Sequence, residues 1–137
     1  MNPVVHFEIP AEDTGRMRKF YESAFGWETQ QLGDEMGGYV LVTTAERDAK
    51  SGLPKKSGRI NGGFFKKTAD PISQYPSVVI AVEDINASIK KVIAAGGKLS
   101  GKVETIPGYG LLASIIDTEG NRIGMMQPTE EMKKRAN

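Results

Sequence analysis

Residues Val4 to Gly26 read VVHFEIPAEDTGRMRKFYESAFG, and residues Ser77 to Gly97 read SVVIAVEDINASIKKVIAAGG. Both stretches run apolar strand, acidic cap, amphipathic helix, glycine. Laying Glu12-Asp13 on Glu83-Asp84 gives an offset of 71 residues, which also puts Gly26 on Gly97 and His6 on Ser77. The chain is thus a two-fold repeat. The only histidine of the chain occurs in the first copy, and a serine holds its place in the second.

The strand and helix signals extend outward from these stretches. Val5, Phe7 and Ile9 alternate with Val4, His6 and Glu8, so the two sets take opposite faces of a strand. Pro10 is expected to end that strand, because proline has no ladder donor. Asp13 or Thr14 suits a helix cap, and Met17, Phe20, Tyr21 and Ala24 recur at helical spacing until Gly26. Strands are expected over 27–32, 38–44 and 59–66, with a polar, lysine-bearing loop over 45–58 that could act as a lid. In the second copy a strand over 77–82 leads to Asp84 as cap. Ile85, Ile89, Val92 and Ile93 then form the apolar stripe of a helix. Strands are expected over 98–106, 110–117 and 122–127, the last two joined by a turn at Asp117 to Asn121.

Each copy therefore reads βαβββ. The expected fold class is α+β: two βαβββ modules forming one curled, cup-shaped mixed sheet. A ferredoxin-like βαββαβ domain is excluded, because three strand-like segments follow the second helix. The expected division is one domain over 1–128, made of modules 1–66 and 77–128, with a linker over 67–76 and a charged tail over 129–137. The helix covers the Val5, Phe7 and Ile9 face. His6 and Glu8, and in the second copy Ser77, are left on the concave face.

The bulk numbers narrow the function. The chain has 137 residues, 18 basic and 17 acidic, for a net charge of +1. That balance offers no electrostatic footprint for nucleic acid or an anionic membrane. Cysteine is absent, so disulfides, thiolate metal sites and a cysteine nucleophile are excluded. No signal-peptide pattern opens the sequence and no segment approaches a spanning length, so a cytoplasmic protein is expected.

The start Val4-Val5-His6-Phe7-Glu8-Ile9, the helix end Phe20 to Trp27 and the closing Asp117-Thr118-Glu119-Gly120-Asn121-Arg122-Ile123-Gly124 resemble the vicinal oxygen chelate superfamily. That group includes glyoxalase I, extradiol dioxygenases and bleomycin-resistance proteins. The resemblance spans roughly residues 3–128. It implies a metal held by one ligand from the first strand and one from the last strand of each module. Here His6 is a proper ligand, but Ser77, Gly124 and the segment Asn61 to Gly63 are not, and no carboxylate lies between Ser57 and Ala69. Metals of this kind need several nitrogen or oxygen donors in a fixed cage.

The expectation is therefore a glyoxalase- or bleomycin-resistance-like protein of unknown substrate that binds a small organic molecule in the cup, without the usual four-ligand metal site and with no cofactor assigned beyond a possible divalent metal. His6, Glu8, Trp27, Asn61, Phe65, Ser77 and Tyr109 are the candidate ligand-binding residues. His6 and Glu8 are also the candidate catalytic groups. The alternatives are a metal-dependent lyase, isomerase or dioxygenase with a divergent shell anchored on His6, the only candidate metal ligand, and a non-catalytic interaction module. A homodimer is expected, as the resembled family commonly pairs.

Overall fold

The computed structural model describes residues 1–136. Eight strands and two long helices follow the order expected from the repeat, with a short third helix at the end. The first copy comprises β1 (Val4–Ala11), α1 (Thr14–Phe25), β2 (Glu28–Gln31), β3 (Val40–Thr43) and β4 (Asn61–Lys66). The second comprises β5 (Ser77–Ala81), α2 (Ile85–Ala94), β6 (Lys98–Ile106), β7 (Gly110–Ile116) and β8 (Arg122–Pro128). The tail forms α3 (Glu130–Ala136). The class is α+β, built from two βαβββ modules.

The chain groups into two compact units, one of residues 6–48 and 54–76, the other of residues 1–5, 49–53 and 77 onward. In the first unit the strand order is β2-β3-β4-β1, with β1 parallel to β4 and the other neighbours antiparallel. Its core is Val40, Val42 and Phe64, all fully buried, packed with Phe7, Ile9, Met17, Tyr21 and Trp27. Burying a side chain of Phe64's size contributes about 2–3 kcal/mol. Helix α1 starts where the Asp13 carboxylate accepts from Arg16 N at 2.9 Å. It stops at Gly26, whose φ of 67° is a left-handed value open to glycine.

Strand β1 runs through Pro10 to Ala11, past its expected end, and pairs Pro10 with Phe65 and Ala11 with Lys66. Ala11 O accepts from Lys67 N at 3.0 Å, so Ala11 bonds toward β4. The preceding residue then turns its nitrogen away from β4, and proline costs that ladder nothing.

In the second unit the order is β5-β8-β7-β6. Val82, Ile85, Ala113, Ile115 and Met125 form its core, with Ile80, Ile89, Val92, Leu99 and Ile123 packed against them. Asp84 caps α2 by accepting from Ala87 N at 2.9 Å. The Gln127 amide oxygen reaches from β8 to Ile85 N, also at 2.9 Å. Two of the four orphan donors at that helix start are thereby satisfied. The first five residues belong with this unit, and Pro3 O accepts from Ala81 N at 2.9 Å.

Candidate functional site

Strand register sorts the first unit's residues into two faces. His6 lies opposite Asn61, Glu8 opposite Gly63, Asn61 in line with Thr43, and Thr43 opposite Glu28. By alternation, Tyr39, Leu41 and Phe65 share this face, away from α1. Trp27 does not. It precedes β2, stacks on Tyr21 of α1 at 4.5 Å between ring centroids, and packs against Phe7. Its ring is part of the helix-side core.

His6 Nε2 lies 2.9 Å from the Tyr39 hydroxyl. Tyr39 was not anticipated as a site residue, and several features place it. The Gly33–Gly38 segment makes a tight turn in which Gly37 and Gly38 have φ of 65° and 67°, values a side chain would strain. Gln31 Nε2 donates to Gly38 O, and Leu32 N donates to Tyr39 O at 2.8 Å. The phenol then crosses β4 over Gly63. A Cβ on Gly63 would fall 1.9 Å from the Tyr39 oxygen, so glycine is required there for the His6–Tyr39 contact. Gly62 has the same meaning on the other face, where a Cβ would meet the Phe7 ring at 2.4 Å and Phe7 O at 2.5 Å. A glycine pair inside a strand is a sequence signal of close approach, and it could have pointed to an aromatic lying on β4.

The imidazole is half-buried. Burial, and after it the positive charge of Arg47, holds the His6 pKa down to about 4. The ring is thus neutral at pH 7. It can accept from the phenol through Nε2 or donate to it, according to tautomer.

Asn61 is nearly buried, and its amide oxygen is committed to the backbone. Its Oδ1 accepts from Thr44 N at 2.8 Å and Ala45 N at 3.0 Å, while the Thr44 hydroxyl donates to Ile60 O at 2.7 Å. Asn61 positions the start of the 44–47 loop. Beyond it the loop forms a tongue, with an Arg47–Pro54 bridge and an ion pair between Lys55 and Glu46. Beside β3 a cleft of about 380 Å³ is lined by Glu28, Thr43, Thr44, Glu46 and Arg47, among others.

Of the other candidates, half-buried Glu8 and Phe65 lie in the first unit with His6. Ser77 and Tyr109 lie in the second. Ser77 accepts from Arg122 Nη2 at 3.3 Å. Tyr109 is exposed, in the turn between β6 and β7, where its N donates to Ile106 O.

The donors do not fit the metal shell that the resemblance implies. His6 Nε2 already faces a phenol, and Asn61 Oδ1 faces two backbone N–H groups. Gly63 carries no donor, and the phenol fills the space its side chain would need. Gly124 lies opposite Val79, where a Cβ would come within 3.0 Å of Val79 Cγ2. Among the described residues, no three His, Asp or Glu side chains gather to hold an ion. No helix among them is long and apolar enough to cross a membrane.

Residues 4–45 match the family model for the N-terminal part of bleomycin resistance protein-like chains. No curated protein sequence matches. Among solved structures, methylmalonyl-CoA epimerase from Mycobacterium tuberculosis is similar at a TM-score of 0.63 and 15% identity, covering 96% of this chain and 91% of its own. A methylmalonyl-CoA epimerase in complex with methylmalonyl-CoA and NH4+ gives 0.67 at 12% identity, covering 95% and 96%. A hypothetical protein from Bacillus halodurans C-125 gives 0.65 at 14% identity, covering 94% and 96%. At these identities the likeness is one of fold, the glyoxalase-like arrangement of paired βαβββ modules. The chain is thus similar to bleomycin resistance protein-like chains over residues 4–45 and shares the glyoxalase-like fold of these structures.

Proposed function

We propose that the chain binds a small organic molecule on the His6–Tyr39 face of its first unit, without a metal ion held in the family manner. The observation that carries this reading is the 2.9 Å contact between His6 Nε2 and the Tyr39 hydroxyl, made over Gly63. A neutral imidazole and a phenol form a polar pair that holds no net charge. Phe65 and Leu41 add apolar surface on the same face. Placed polar groups beside apolar surface suit a small organic ligand. The neighbouring folds include proteins in complex with coenzyme A thioesters, which agrees with a ligand-binding role for the fold. Fold likeness alone supplies no substrate.

His6 is the only histidine, so its ring gives a single imidazole NMR signal. The test follows that signal and the melting temperature through a panel of hydrophobic small molecules and through Ni2+, Mn2+, Fe2+, Co2+ and Zn2+. A ligand at a hundred times its dissociation constant stabilises by about 2.7 kcal/mol. The expected result is a ligand that shifts both readouts, with no response to chelator. One metal bound per chain and lost in His6→Ala overturns this reading in favour of a metal-dependent lyase, isomerase or dioxygenase. Response to neither metals nor ligands favours a non-catalytic interaction module.

Pairing as a homodimer is part of the proposal. Phe20 and Phe25 of α1 are 58% and 63% exposed and supply apolar surface for a second copy to cover. Light scattering on the purified chain checks it, with a monomer mass as the contrary result.

A further inference from the structure

The cleft beside β3 carries charge of both signs. Glu28 reaches it from β2, and Glu46 and Arg47 reach it from the loop after β3. The Glu46 carboxylate is matched by Lys55. Glu28 and Arg47 remain, one anion and one cation. Among the described residues no ion pair joins them to each other or to another side chain. Two exposed, opposite charges that line one cleft without pairing leave separate contacts for a ligand that itself carries both signs.

The rim is fixed before anything binds. Asn61 holds the Thr44 and Ala45 N–H groups, and the Thr44 hydroxyl is tied to Ile60 O. The backbone that presents Arg47 is therefore anchored to β4 on one side and by the Arg47–Pro54 bridge on the other. The cleft has a volume of about 380 Å³ and is open to solvent along much of its length, so a ligand there would be held at its rim. Thr43 adds a hydroxyl to the lining.

We propose that this cleft binds a small zwitterion, an amino acid or short peptide, with the ligand's ammonium on Glu28 and its carboxylate on Arg47. Guanidinium and carboxylate match as planar, bidentate partners. The proposal does not rest on the His6–Tyr39 reading. It does lend that histidine as a reporter, because the Arg47 charge is felt at the His6 ring. A carboxylate seated on Arg47 would cancel part of that field.

The test adds L-leucine, N-acetyl-L-leucine or L-leucinamide at millimolar concentration to the full chain, following the melting temperature and the His6 imidazole signal. L-leucine is expected to raise the melting temperature and move the signal. The acetylated compound lacks the ammonium and the amide lacks the carboxylate, so each is expected to bind at least about tenfold more weakly. Glu28→Gln and Arg47→Gln alter exposed side chains and are expected to keep the fold while each abolishes the L-leucine response. Equal binding of the three compounds, absence of binding by any, or an unchanged response in both variants overturns the proposal. The hydrophobic-ligand panel on the parent chain separates this outcome from failure of the His6–Tyr39 reading, since a response to that panel without one to L-leucine overturns the zwitterion site alone.

Discussion

A methyl group on Gly63 and the hydroxyl of Tyr39 cannot occupy the same place, for only 1.9 Å would separate them. Gly63 is therefore the vacancy into which the phenol lies to meet His6. Gly63→Ala is expected to push the tyrosine ring aside and break its contact with His6. Overpacking of this kind costs about 1–3 kcal/mol, toward the low end here because the ring end of a side chain is what must move. Denaturant unfolding measures the cost, and the His6 imidazole signal reports the broken contact.

Gly62→Ala is expected to be worse. Its new methyl would meet Phe7 O, a backbone atom of the neighbouring strand, at 2.5 Å as well as the Phe7 ring. Backbone yields less readily than a side-chain tip, so the parallel β1–β4 ladder must itself shift. The order of the two midpoints, Gly62→Ala below Gly63→Ala, is the outcome to check.

Tyr39→Phe removes one hydrogen bond at a half-buried site and leaves the ring in place. A net loss of about 1 kcal/mol is expected. Ligand affinity at the His6 face should fall in the same variant, measured with whatever compound the panel yields. Unchanged affinity would make the phenol a packing group only.

Stability should fall in acid in a way that depends on His6. The folded ring titrates at about 4 against 6.5 for the ordinary group. Between those values the unfolded chain takes up a proton that the folded chain refuses. Stability is thus full above pH 6.5, declines as pH falls toward about 4, and levels off below. The full shift corresponds to at most about 3 kcal/mol, less after solvent screening at a half-buried ring. His6→Gln removes this component, so the difference between the two pH profiles isolates it from the carboxylates.

Asn61→Ala strips two backbone N–H groups, those of Thr44 and Ala45, of their acceptor. Leaving them unsatisfied at a nearly buried site costs about 1–3 kcal/mol. Asn61→Asp keeps an acceptor in place and should recover part of that loss. Urea unfolding of the two variants side by side decides it.

The fold was legible because its signals are periodic and local. Ile85, Ile89 and Val92 of the expected stripe, the Asp13 and Asp84 caps and the strand over 98–106 depend on neighbours in sequence, and the structure keeps them, whereas Ile93 of that stripe is exposed. The alternation in β1 also assigned His6 and Glu8 to the face away from α1. Trp27 was read as the first residue of a strand that begins one residue later, and its ring packs against Tyr21 of α1. Pro10 was read without knowing which side its missing donor faces. Tyr39 and the amide of Asn61 escaped for a common reason. Each acts across a gap of 16 or more residues, and neither has a periodic partner to announce it.

The placement of the first five residues has a topological consequence. They are grouped with the second unit, and Pro3 O receives Ala81 N. The chain therefore begins in one unit, builds the other, and returns to the first. Trimming the N-terminus would injure the half encoded some 75 residues downstream before the half it adjoins. The second copy, cut out at its own sequence boundaries, would leave behind a piece of its own sheet edge.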